Sequence, residues 1–275
     1  MSNTTGGYEM KIDYHMHSDF SADCKTPMEE TIKAAIDKGF TEICFTEHID
    51  YDYPDPTITF DLDVERYTQE IKAMQGKYAG VIQIKKGVEI GVQPYLLQRY
   101  EDFLDTESFD FIICSEHTTA KMDLHSGEFF KHRTAKEAYH TYYEELLYCV
   151  EHFDRYNILG HLDLVKRYQT PDPDADFTEM IQQIFKTIIP KGKGIEVNTS
   201  GYDYGLDHAM PSDDILRLYK QCGGEIITIG SDAHYSNQVG RYFKEKIALL
   251  KEVGFKYLCT FNDQKPTFHS LEEFL

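Results

Sequence analysis

The 275-residue sequence predicts a parallel, barrel-like α/β fold with its chemistry gathered at one rim. Three observations carry that expectation. Short apolar runs alternate with helix-like stretches from end to end, and no repeat, low-complexity block or linker divides them. The length suits an ordinary barrel of about 250 residues, so residues 1–275 are expected to form one domain. The apolar runs also keep ending in an imidazole or a carboxylate.

A short polar stretch leads to a first strand at 11–15. Thr26 as N-cap, Pro27 at the first helical position, Glu29 closing a capping box and Gly39 beyond the end define the first helix. A second strand at 41–46 is followed by the loop IDYDYPDPTITF and a helix at 62–78. The third strand ends at Glu89, QPYLLQRYEDFL reads as a helix, and the fourth strand covers 109–115. The irregular connection at 118–133 is long enough to act as a lid or substrate wall. Thr134 and Glu137 form a capping box for a helix reaching 153, and a short fifth strand ends at Gly160-His161. Asp176 and Glu179 mark a helix start running to Ile189; GIEVN is the sixth strand, PSDDILRLYKQC a helix and GEIITIG the seventh strand. A helix at 239–253 precedes KYLCTF, a terminal strand.

Nine donors fall on this frame. His15 and His17 follow KIDY, and Asp23 lies six residues beyond His17. His48 closes TEICFTEH, Glu89 closes IQIKKGVE, His117 closes FDFIICSEH and His161 closes NILGH. Asp232 and His234 close EIITIGSDAH. Residues i and i+2 of extended backbone face one way, so HMH and DAH each aim two donors at one place. One such triplet is weak, because many loops hold one by chance; the ordered set is much stronger. Carboxylates and imidazoles buried together are costly unless paired or metal-bound. Mixed nitrogen and oxygen donors suit zinc, iron or manganese, and nine are too many for one ion. A multinuclear metallohydrolase is the expectation.

In these residues the chain resembles the polymerase and histidinol phosphatase (PHP) family over nearly its whole length. All nine ligand positions of that family find a match, Asp23 standing where histidine is frequent. The resemblance implies a distorted (β/α)7 TIM-like barrel with three divalent ions at the C-terminal ends of its strands. It implies one ion on His15, His17, Glu89 and Asp232, with Glu89 bridging to a second on His117 and His161. The third would rest on Asp23, His48 and His234. The length and the order GHLDL, EVNTSG, GSDAH resemble the stand-alone histidinol-phosphatase branch. That branch hydrolyses L-histidinol phosphate to L-histidinol and phosphate in histidine biosynthesis.

The chemistry expected is in-line attack on phosphorus by a metal-bridging hydroxide, formed because the cations lower the pKa of water. Asp232 is the expected proton handler, with His234 competing. Arg167, six residues after His161, is the expected phosphate clamp, since guanidinium matches phosphate oxygens bidentately; its neighbour Lys166 is the alternative. The branch would place a second cation near EVNTSG, where Ser200 and Asp203 stand. It would also place an acid just after His117, where Thr118 and Thr119 stand, leaving Glu116, Asp123 or Glu128 for that role. Rival readings are a phosphatase for another small phosphomonoester, an amidohydrolase-like enzyme cleaving C–N bonds, and a metal-binding regulatory module without turnover. An amidohydrolase usually wants its bridging residue on strand four, whereas Glu89 is on strand three.

The formal net charge of −19 opposes non-specific binding to nucleic acid or anionic membrane. An anionic substrate must therefore be drawn in locally, by cations or by a few placed basic groups. The six cysteines are scattered without a CxxC pair, as expected of reduced structural thiols; Cys44 and Cys114 read as core. MSNTTGGYEM lacks the regions of a secretory signal and no apolar run spans a bilayer, so the expected location is cytoplasmic. Glu47, beside His48, reads equally as a support for a ligand or as a solvent-facing carboxylate. Ser231, Asn198 and Asp163 read as backbone braces, and His125 is the histidine to watch outside the nine.

Overall fold

The computed structural model describes residues 9–274, so the polar lead-in of residues 1–8 lies outside the described residues. In chain order the elements are β1 (Ile12–Asp13), α1 (Met28–Asp37), β2 (Glu42–Ile49), α2 (Val64–Lys77), β3 (Gln83–Gly91), α3 (Leu97–Thr106) and β4 (Phe111–Ser115). A small hairpin, β5 (Thr118–Thr119) and β6 (Met122–Asp123), precedes α4 (Ala135–His152), β7 (Ile158–Leu159), α5 (Val165–Tyr168) and α6 (Thr178–Ile188). β8 (Gly194–Asn198), α7 (Asp213–Gln221), β9 (Ile227–Gly230) and α8 (Phe243–Val253) follow, then the hairpin β10 (Tyr257–Asn262) and β11 (Lys265–Ser270).

Seven parallel strands form one sheet in the order β1-β2-β3-β4-β7-β8-β9. The sheet curls until its ends meet. Tyr14 N–H donates to the Ile229 carbonyl at 3.0 Å, Asp232 N–H donates to the His15 carbonyl at 2.7 Å, and Met16 bridges Ala233 in parallel. Because β1 is only two residues long, side chains reinforce this seam. The buried Asp13 carboxylate accepts from Ser231 N–H and hydroxyl, at 3.0 and 2.5 Å, and from Gly240 N–H at 3.1 Å. The result is the distorted (β/α)7 barrel that the resemblance implied.

Strands covered on both faces read as continuous rather than alternating apolar runs, and every residue of β2, β4, β8 and β9 is buried. The terminal hairpin covers the N-terminal end of the barrel, where Gln264 N–H donates to the Asp110 carbonyl at 2.9 Å and Phe261 N–H to the Tyr14 hydroxyl at 2.9 Å. Chemistry is thereby left to the opposite end.

Two helix starts differ from expectation. Thr26 does not cap α1, which begins at Met28 behind Pro27 without a side-chain cap. Its hydroxyl donates instead to the His234 carbonyl at 2.8 Å, and Glu29 pairs with Lys33 and Lys77. A tertiary acceptor at the last barrel motif outcompetes the local box. Asp176 stands two residues ahead of α6, accepting from Thr178 N–H at 2.8 Å. The Thr134–Glu137 capping box forms as expected. The connection at 118–133 is partly ordered by the β5–β6 hairpin, and KYLCTF pairs with β11, a strand the pattern did not predict.

Candidate metal centre

Seven parallel strands bring their C-terminal ends to one rim, and the nine donors arrive there from six of them. β2 and β3 pair in a register that sets His48 directly opposite Glu89. His15, His117, His161 and Asp232 each stand two residues past the end of β1, β4, β7 and β9. Asp232 takes a left-handed conformation, φ 54°, which short polar side chains tolerate better than most. Gly230 lets the seam close: a Cβ there would lie 2.3 Å from the His15 Cβ.

Glu89 is the hub. It is fully buried, and its two oxygens face different partners. Oε2 lies 3.0 Å from His15 Nε2 and 3.5 Å from His17 Nε2. Oε1 lies 2.9 Å from His161 Nε2 and 3.2 Å from His117 Nε2, and accepts from the Ser115 hydroxyl at 2.6 Å. Asp232 Oδ1 approaches His17 Nε2 at 3.3 Å and His15 Nε2 at 3.5 Å. Beyond His17, whose ring stacks on His48 with centroids 4.2 Å apart, the donors of His17, His48 and His234 converge. Asp23 Oδ2 lies 3.3 Å from His234 Nε2 and 3.7 Å from His48 Nε2. Asp23, His48 and His234, expected as a third set, thus lie together, with His17 rather than Asp23 completing the tightest group.

These separations suit cations. Donors about 2.0–2.1 Å from a tetrahedral ion stand roughly 3.4 Å apart. The fit is also chemical: His17 Nε2 is a buried nitrogen with no hydrogen-bond partner although carboxylates surround it. A buried unpaired nitrogen is costly unless something binds it.

Supports behind the donors were harder to foresee. Glu196, within the apolar strand β8, holds His15 Nδ1 at 2.8 Å and accepts from the His161 N–H at 2.8 Å and Asn198 Nδ2 at 2.9 Å. A carboxylate inside so apolar a strand was the available signal. Asp50 holds His117 Nδ1 at 2.6 Å. Glu47 is fully buried rather than solvent-facing: it accepts from the Ser18 hydroxyl and the Ser21 hydroxyl, both at 2.5 Å, and Ser21 Oγ lies 3.2 Å from His17 Nδ1. It thus supports His17 through Ser21. Such contacts fix ring orientation and leave the other nitrogen for an ion.

Burial opposes charge throughout, yet the opposed groups settle each other. On Glu89 the burial penalty is outweighed by His15, His117 and His48, which hold its carboxyl well below the usual range. Asp232 is likewise held low by His15 and His17. Burial works against protonated His48, but Asp23 and Glu89 raise it to about 9; Glu196 and Glu89 raise His15, and Asp50 and Glu89 raise His117. His17 goes the other way, lowered to about 3 by burial and by its neighbours His48 and His234. At pH 7 the metal-free chain therefore holds protons on His48, His15 and His117 that a cation must displace, while His17 is already neutral. Zinc loading at pH 7 is expected to release several protons per chain. The release shrinks as pH rises through about 9, and apparent zinc affinity weakens as pH falls below it. Titration calorimetry in two buffers of different ionisation enthalpy reads this directly; a buffer-independent heat at pH 7 contradicts it.

A cavity of about 460 Å³ opens over the donors. Among the described lining residues Arg167 is the one lysine or arginine, and it sits on α5, a helix of four residues too short to show periodicity. Its guanidinium lies 3.0 Å over the Tyr204 ring centroid, and Nε is buried without a partner. Of the other expected substrate contacts, Lys166 turns away: Nζ donates to Ser212 Oγ at 2.8 Å and pairs with Asp163 at 2.9 Å. Glu116 is buried behind the rim, accepting from Thr119 Oγ1 at 2.5 Å. Ser200 Oγ reaches Asp232 Oδ2 at 3.2 Å and Asn198 Oδ1 at 2.7 Å, so it steadies a donor. Glu128 is paired with Lys131 on the surface, whereas Asp123, with His125, lines the cavity.

A (β/α)7 barrel with imidazole and carboxylate donors converging over a carboxylate hub defines a metal-dependent hydrolase. The PHP domain model matches residues 13–200, and the chain belongs to that family. Over 261 residues it is 35% identical to the histidinol-phosphatase of Lactococcus lactis subsp. lactis, covering 93% of this chain and 96% of that protein. A probable histidinol-phosphatase of Clostridium acetobutylicum is 28% identical over 253 residues, covering 90% of this chain and 95% of the relative. The crystal structure of the Lactococcus lactis histidinol phosphate phosphatase, complexed with zinc, L-histidinol and phosphate, superposes with a TM-score of 0.84 at 34% identity, covering 94% of this chain and 99% of that one. No helix of the described residues is long and apolar enough to cross a membrane.

Proposed function

We propose that this chain hydrolyses L-histidinol phosphate to L-histidinol and inorganic phosphate, using three divalent ions held by the nine donors of a single barrel domain. The enzyme is a phosphoric monoester hydrolase. The observation that carries the reading is Glu89, whose two oxygens each face a separate pair of imidazoles. It is supported by 35% identity to a histidinol-phosphatase along 93% of the chain.

His15, His17, Glu89 and Asp232 would hold one ion, Glu89, His117 and His161 the second, and Asp23, His48 and His234 the third. Bound divalent ions supply electrostatic stabilisation of the phosphoryl oxygens and lower the pKa of water near them. Zinc, iron and manganese all suit this donor set. The chain's own residues do the rest. Arg167, stacked on Tyr204, presents a planar guanidinium to the phosphate and is the local attraction that the −19 chain otherwise lacks. Asp232, kept ionised by the imidazoles around Oδ1, takes the proton of the attacking water. His234 lies 3.7 Å from Asp232 and is the alternative carrier to the leaving oxygen. A cytoplasmic setting within histidine biosynthesis belongs to the same reading.

The test is phosphate release by purified, zinc- or manganese-loaded enzyme across a panel of phosphomonoesters. L-histidinol phosphate is expected to exceed sugar phosphates and other amino-alcohol phosphates in kcat/KM by roughly 10² or more, since a site built for polar groups rejects analogues lacking them. Another phosphomonoester with the higher kcat/KM would replace the substrate.

A further inference from the structure

Asp50 is a carboxylate at the rim that lies outside the nine donors. It follows β2 directly, is buried, and its N–H donates to the Phe60 carbonyl at 3.2 Å, so its backbone is fixed. Oδ1 holds His117 Nδ1 at 2.6 Å. That distance is a hydrogen bond and is too short for two ligands of one ion, which stand roughly 3.4 Å apart. Oδ2 is buried and makes no hydrogen bond, and 3.6 Å away His48 Nδ1 is in the same condition. Glu89 Oε2 lies 3.2 Å from His48 Nδ1, but it already faces His15 and His17. Space for the carboxylate comes from Gly91 on β3: a Cβ there would fall 1.8 Å from Asp50 Oδ1.

We propose that Asp50 is a shared positioning residue, its two oxygens serving the Nδ1 atoms of His117 and His48 so that two neighbouring ion sites depend on one carboxylate. His117 converges with Glu89 and His161 and His48 with His17 and His234, and the two histidines also come together around Asp50 itself, whose 2.6 Å approach to His117 Nδ1 marks a hydrogen bond. An N–H directed to Asp50 from Nδ1 leaves Nε2 of each ring free for an ion, the His48 Nε2 side being where Asp23 stands. The two sites then fill interdependently, while the site around His15 and His17, braced by Glu196 and Glu47, does not share the support. The assignment of separate sites rests on the three-ion reading above.

Zinc binding to the full chain, measured by competition with a chromophoric chelator, is compared for wild type, Asp50→Asn and Gly91→Ala. The Asp50→Asn amide accepts one imidazole N–H without the carboxylate's charge and turns its own N–H towards the other imidazole, so both rings lose support. Two zinc equivalents are expected to weaken by about 10–100-fold, with the remaining one unchanged. Gly91→Ala is expected to weaken the same two by displacing the carboxylate it leaves in place. Loss of one equivalent alone, of all equally, or of none overturns the proposal. In nitrogen-15 spectra of the zinc-loaded chain, the Nδ1–H resonances of His48 and His117 are expected to move together in Asp50→Asn, and movement of only one overturns it too. These resonances require no particular stoichiometry. A wild type saturating below three ions would therefore overturn the three-ion reading while the spectra still decide the role of Asp50.

Discussion

Glu89→Gln is expected to lower kcat/KM for the phosphomonoester by about 10³-fold or more, which corresponds to roughly 4 kcal/mol of lost transition-state stabilisation. The substitution keeps the shape of the side chain and removes its charge. In the wild type that charge faces His15, His17, His117 and His161 within 3.5 Å, and the carboxylate itself is fully buried. An amide has one acceptor oxygen, so it can face one imidazole pair and must present N–H groups to the other. Breaking a buried charge pair from one side commonly costs about 3–5 kcal/mol, because the remaining charges stay desolvated. Zinc content should therefore fall along with turnover, and elemental analysis of the purified variant measures it. His17→Ala and Asp232→Asn should behave alike, with the fold retained. Near-normal turnover at full metal content in Glu89→Gln would remove the hub from the chemistry.

Arg167→Ala should chiefly raise KM, with kcat/KM lower by about 10–150-fold, the value of one charge-assisted hydrogen-bonding group at roughly 1.5–3 kcal/mol. The size follows from its isolation: among the described lining residues no second lysine or arginine can substitute. Lys166 is its neighbour in sequence but is committed to Asp163 and Ser212. Arg167→Lys should recover little, since an ammonium neither forks onto two phosphate oxygens nor stacks flat on Tyr204. Inhibition by inorganic phosphate should weaken in proportion to the rise in KM. If the kinetic profile and phosphate inhibition are both unchanged, the side chain belongs to the surface.

Most of the donors were legible because they terminate apolar runs, and burial of the run dictates where its last residue must point; Asp23, in the loop beyond His17, rested on the family resemblance. Boundaries were less so. β2 runs through Ile49 because Glu47 and His48 are themselves buried, yet in sequence they resemble the polar end of a strand. Asp50 and Glu196 escaped notice because their partners, His117 and His15, lie 67 and 181 residues away and are chosen by the fold. The Thr26–Glu29 box failed for the same reason, its hydroxyl being claimed by a carbonyl from the far end of the chain. β11, KPTFHS, is mostly exposed and lacks an alternating face, so no pattern could announce it. Lys166 and Arg167 were indistinguishable as neighbours; only the turn of α5 sends one to Asp163 and the other over Tyr204.

The seam between first and last strands makes the barrel a hoop with a latch. His15 and His17 stand on one side of that join and Asp232 and His234 on the other, while the ladder between them is short. A cation gripped from both sides acts as a rivet, worth about 2.7 kcal/mol when free metal is a hundredfold above its dissociation constant. Breathing of the hoop, read as amide exchange at Asp232 and Ala233, should then quicken on chelation ahead of exchange in β2 and β3.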